Sequence, residues 1–148
     1  MKKKLLAATG LAIALVTAPA LAGDTPSAPG AKAYFINLKD GDTVTGPVKV
    51  LMGLSGMGIA PAGTEKENTG HHHLLTNRAA FGEGADDADM TETGIYADDN
   101  HRHFGGGQTE VTLDLPAGEH TLQLLLGDLF HVPHDPVVKS EHITIVVK

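Results

Sequence analysis

QTEVTLDLPAGEHTLQLLLGD, residues 108–128, decides the fold class. In its first half Val111, Leu113 and Leu115 alternate with Glu110, Thr112 and Asp114. That is the period-two spacing of a strand with one buried and one solvated face. PAGE, 116–119, then turns the chain, and Leu122, Leu124 and Leu126 repeat the alternation. Two further stretches have the same form. VKVLMGL, 48–54, puts Val48, Val50, Met52 and Leu54 on one face, and HITIVVK, 142–148, does so with Ile143, Ile145 and Val147. AYFINL, 33–38, and HHHLLTN, 71–77, are further strand candidates, whereas between Arg78 and Asn100 only GIYA, 94–97, qualifies. Helical spacing is not evident anywhere after the first two dozen residues. Strands separated by Gly and Pro turns predict an all-β fold, an immunoglobulin-like antiparallel β-sandwich of about seven strands. An eight-stranded barrel or jelly roll is the competing shape.

The amino terminus, MKKKLLAATGLAIALVTAPALAGD, has the three parts of a secretory signal: a lysine cluster, an apolar run, and small residues ending in Ala20-Leu21-Ala22. Thr9-Gly10 and Pro19 cut the run short of the roughly 20 apolar residues a membrane span requires. The expected organisation is therefore a signal peptide over 1–22, a flexible lead over 23–31 (GDTPSAPGA) and a single domain over 32–148. This places the mature protein in the periplasm or outside the cell, with no membrane insertion after cleavage. The chain has no cysteine, so no disulfide supplements its core. Eighteen acidic against eleven basic residues give a net charge of −7, and loss of Lys2, Lys3 and Lys4 with the signal deepens it. A field of that sign draws in cations and argues against nucleic acid or anionic lipid as partner.

The nine histidines are grouped: HHH (His71, His72, His73), HRH (His101, His103) and HVPH (His131, His134), with His120 and His142 single. With GIYA as the fourth strand, the connections preceding HHH, preceding QTEVTLDL and following HTLQLLLGD share one end of a sandwich. All three groups are then expected there. In extended chain residues i and i+2 point the same way, which pairs His71 with His73 and His101 with His103. His131 and His134 flank Val132-Pro133 on a rigid turn. The candidate metal ligands are accordingly His71, His73, His101, His103, His131 and His134. Imidazoles without thiolates suit a copper or zinc ion. His120 stands where such sandwiches often place a corner tyrosine, and is read as structural; His142 is read as solvent-facing. DDADMTE, 86–92, lacks the glycine and ligand order of a calcium loop and is read as a solvated acidic loop. None of Ser27, Ser55 and Ser140 lies in a nucleophile elbow, and no catalytic residue is assigned.

At NTGHHHLL, NHRHFGGGQTEVTLDLPAGEHTLQLLLGD and HVPHDP the chain resembles a family of bacterial exported proteins known as domain of unknown function 4399. The resemblance runs from about Phe35 to the end and implies an exported single β domain; it brings no activity, substrate or catalytic residue. Three functions follow from the residues. The first is a periplasmic metal-binding module for carriage, buffering or sensing, and the second a metal-free immunoglobulin-like adhesive or interaction module with a periplasmic protein partner. The third, a metalloenzyme, has less in its favour, because no short stretch carries a recognisable catalytic arrangement.

Overall fold

The computed structural model describes residues 23–148, so the expected signal peptide, 1–22, lies outside the described residues. Strands β1 (Lys32–Phe35), β3 (Val48–Ser55) and β7 (Glu110–Leu113) form one antiparallel sheet in which β3 is central. The second sheet is built from β2 (Thr43–Val44), β4 (Gly58–Ile59), β5 (Thr69–Thr76), β8 (Gly118–Gly127) and β9 (Ile143–Val147). Its order is β2-β9-β8-β5-β4, and the short strand β6 (His101–His103) also pairs with β5. The two short pairs β2–β9 and β4–β5 are parallel; the others are antiparallel. An immunoglobulin-like sandwich sets strands A, B and E against C, F and G. Here β1, β3 and β7 face β5, β8 and β9 in that arrangement.

The alternation read from the sequence explains which faces meet. Val48, Val50 and Met52 of β3, Leu113 of β7, Leu122, Leu124 and Leu126 of β8, and Ile143, Ile145 and Val147 of β9 join one buried cluster between the sheets. Each fully buried aliphatic side chain of this kind contributes about 1.5–3 kcal/mol. β5 adds Leu74 to the same cluster. Its opposite face is buried as well, because Leu75 packs with Phe81, Met90, Ile95 and Leu125 in a second cluster. A strand covered on both sides has no solvated face, and from Gly70 to Thr76 every residue of β5 is buried.

What covers the outer face of β5 corrects two expectations. GIYA, 94–97, forms no strand, and the acidic stretch is not a solvated loop: α1 (Asp87–Thr93) lies within it. The reason is Asp87, which is fully buried and accepts hydrogen bonds from the Gly82 and Gly84 amides at 2.6 and 2.8 Å. Arg78 closes the network, pairing with Asp87 and, at 2.9 Å, with Asp86. Met90 then packs beneath the helix against Leu75 and Leu125. Seven residues are too few for hydrophobic periodicity to stand out.

Of residues 23–31, expected as a flexible lead, 23–27 are hydrogen-bonded along the 133–136 segment. The Gly23 and Ser27 amides donate to the Pro133 and Asp135 carbonyls at 2.9 Å each, and the Asp135 amide donates to Thr25 O at 2.9 Å. His120 holds the corner expected of it: Nε2–H donates to the Pro116 carbonyl at 2.8 Å and Nδ1 accepts from Asn77 Nδ2 at 3.0 Å. His142, expected to face solvent, is half-buried and donates to the Arg78 carbonyl at 3.0 Å.

Candidate metal centre

Four histidines from three elements meet on the outer face of the larger sheet: His71 and His73 of β5, His103 of β6, and His131 of the loop after β8. One ring nitrogen from each lies within 4.8 Å of those of the others. The innermost are close. His71 Nε2 is 3.0 Å from His73 Nε2 and 3.0 Å from His131 Nδ1. The His73 and His103 rings stack with centroids 5.0 Å apart, and His103 meets His131 edge-on at 4.6 Å.

Local backbone features put each ring there. His71 and His73 share a face because β5 is extended, and the β5–β6 register sets His103 directly opposite His73. His71 is opposite Gly127 on β8. A Cβ at Gly127 would lie 2.8 Å from His73 Nε2 and 3.2 Å from His131 Cα, so the ring occupies the room that a side chain there would need. His131 itself sits at φ +70°, a left-handed conformation uncommon for a side-chain-bearing residue. Its carbonyl accepts from the Ile95 amide at 2.8 Å.

Burial controls the chemistry. Desolvation, followed by the neighbouring His131 and His103, lowers the His71 imidazole from 6.5 to about 4. Desolvation, followed by His71 and His103, takes His73 to about 2. His103 is lowered too, by burial and then by His131. The two strand imidazoles are therefore neutral at pH 7 and carry the lone pairs a metal requires. Two nitrogens each 3.0 Å from His71 Nε2 are also a problem without a cation. A proton on His71 Nε2 can bridge to one neighbour and not to both, while Nδ1 of His71 and Nδ1 of His73 meet no partner among the described residues. A tetrahedral zinc with Zn–N of about 2.0–2.1 Å needs nitrogens roughly 3.3 Å apart, a few tenths of an ångström from the two 3.0 Å contacts, while the four together spread up to 4.8 Å and would close on an ion.

Two of the six expected ligands are elsewhere. His101 shares a face with His103, but its Nδ1–H donates to Asp98 at 2.7 Å and its Nε2 accepts from Arg78 at 2.6 Å. Tyr96 lies over its ring at 4.5 Å. His134 is separated from His131 by the turn of the loop and donates through Nε2 to the Thr69 carbonyl at 3.3 Å. The expected argument for convergence required GIYA to be a strand. The groups meet by another route, since HRH becomes an edge strand beside β5 and brings His103 back to the end where β5 begins.

Sequence reading missed two contributors, Gly127 and Asp128. Gly127 makes room for the His73 ring as Gly105 does for that of His103, and a Cβ at either would press on the ring beside it. Asp128 organises the His131 turn, accepting from the Phe130 and Val132 amides at 2.8 and 2.9 Å. A Gly-Asp pair ending a strand ahead of a candidate ligand was the available signal. Met57 of the loop after β3 is partly buried and packs against the sandwich core.

No curated protein and no solved structure matches the chain. A family model does match, over residues 50–148, which includes all four clustered histidines and the strands that carry them. The chain belongs to the family described as Domain of unknown function (DUF4399).

Proposed function

We propose that this protein is an exported metal-binding module that holds one copper or zinc ion through His71, His73, His103 and His131. The observation that carries the reading is the approach of His73 Nε2 and His131 Nδ1 to His71 Nε2 at 3.0 Å each, with His103 completing a set of four within 4.8 Å, an arrangement that neutral imidazoles satisfy poorly by themselves and that a cation would relieve. All four ligands are nitrogen, which suits divalent copper and zinc and leaves no thiolate to hold monovalent copper. The acidic surface raises the local concentration of cations. His71 and His73 are fully buried while His103 is exposed and His131 half-exposed, so an ion enters from the rim. The role is carriage or buffering in the periplasm.

The test is elemental mass spectrometry of the untagged mature protein, as isolated and after loading with each metal, beside His73→Ala. One equivalent of copper or zinc in the wild type, a raised melting temperature on loading, and loss of both in the variant are expected. Absence of stoichiometric metal under every loading condition would refute the reading.

A further inference from the structure

Residues 23–28 lie against the loop that carries His131. Asp128, only 3% exposed, is the hub of the turn that carries His131. Its Oδ1 accepts from the Phe130 and Val132 amides, its carbonyl accepts from the His131 amide at 3.0 Å, and its own amide donates to Val132 O at 2.8 Å. The remaining oxygen, Oδ2, accepts from the Thr25 hydroxyl at 2.5 Å. Thr25 belongs to the strap 23–28, which is fixed on both sides of it. Gly23 donates to Pro133, and Ser27 donates through its amide to Asp135 and through its hydroxyl to Pro136 O at 2.7 Å. A Cβ on Gly23 would overlap Pro133 O and Val132 Cγ1, so the strap lies flat on the loop.

We propose that Thr25 and Asp128 are positioning residues for the metal centre: the amino-terminal strap locks the turn that presents His131 Nδ1 to His71 Nε2. His131 is the only one of the four rings carried by a loop. Its left-handed backbone persists only while its surroundings impose it. The carboxylate fixes the turn from inside, and the strap fixes the carboxylate. The Asp128 side chain bonds the amides of the turn and the Thr25 hydroxyl, so their hold on His131 runs through the backbone. The metal readouts of this inference rest on the proposed function; its geometric readout does not.

The test uses the full mature chain carrying Thr25→Ala, Thr25→Ser or Gly23→Val, with His131→Ala as reference. Zinc affinity is measured by chelator competition, and the Cu(II) complex by electron paramagnetic resonance. Thr25→Ala is expected to weaken zinc binding about tenfold, the scale on which lost outer contacts act on metal ligands. Its copper spectrum should lose nitrogen hyperfine structure as His131→Ala does. Thr25→Ser, which keeps the hydroxyl, should restore both, and Gly23→Val should reproduce Thr25→Ala by lifting the strap from its other end. In the metal-free proteins, the NMR contact between the His131 and His71 rings should vanish in Thr25→Ala and Gly23→Val. Wild-type affinity and spectrum in Thr25→Ala, with the ring contact retained, would overturn the proposal. If the wild type binds no metal, the proposed function fails, and the ring contact alone decides whether the strap positions His131.

Discussion

His72→Leu is expected to make the protein more stable, an uncommon outcome for a buried native residue. His72 lies between the two ligand histidines and, by strand alternation, points with Leu74 into the apolar layer between the sheets. It is fully buried, and neither ring nitrogen has a hydrogen-bond partner among the described residues. A buried polar group left unpaired costs about 1–3 kcal/mol, and leucine, close in size, removes that cost. Protonation adds a second difference. Desolvation lowers His72 from 6.5 to about 4, so on acidification the unfolded chain takes up a proton that the folded chain refuses. Stability from this residue is complete above pH 6.5 and falls as the pH drops towards 4. At pH 5, some 1.5 units below the unfolded value, the loss is about 2 kcal/mol. His71 and His73 remain in both proteins, so the difference between them isolates His72. Urea unfolding of metal-free wild type and variant, followed by circular dichroism, should give a variant about 1–3 kcal/mol more stable at pH 7.5, with the gap about 2 kcal/mol wider at pH 5. A variant less stable at neutral pH, or an equal gap at both pH values, would refute the reasoning.

Three other substitutions separate site from scaffold. His120→Ala removes the bonds to Pro116 and Asn77 and should cost about 1–3 kcal/mol in urea unfolding while leaving zinc affinity unchanged. Arg78→Ala leaves Asp87 buried without its cation, and a loss of about 3–5 kcal/mol is expected from the same measurement; a change below 1 kcal/mol would mean that the 77–100 segment does not depend on that pair. Gly127→Ala drives a methyl against His73 Nε2, so chelator competition should show weaker zinc binding in a protein that still folds.

The sandwich was legible because its strands alternate. Leu122, Leu124 and Leu126, like Ile143, Ile145 and Val147, declare their face without any knowledge of what lies opposite. The 77–100 segment was not legible, for a physical reason. Its order comes from one buried carboxylate, Asp87, whose partners are the Gly82 and Gly84 amides, five and three residues earlier, and the Arg78 guanidinium, nine residues earlier. Read locally, DDADMTE is only acidic. The candidate centre was legible in part on the same terms. That His71 and His73 share a face follows from spacing, whereas the approach of His131 involves its own left-handed backbone and a turn bonded to Thr25, neither of which has a period to read.

His101 and His103 show where spacing stops being informative. Both point from one face of β6, yet the register sets His103 against His73 and His101 against Leu75. One step of two residues carries a ring from a cluster of imidazoles to a patch of carboxylates and an arginine, where its hydrogen bonds are already complete. The same parity governs HHH. The alternation that sends Leu74 into the core must send His72 with it and leave His71 and His73 outside. A slip of one residue in the β5–β8 register would turn both ligands in among the core leucines and move Leu74 to the outer face. The placement of the two strand ligands and the packing of the sandwich are thus consequences of one register, and a sequence change that preserves the core preserves half of the centre as well.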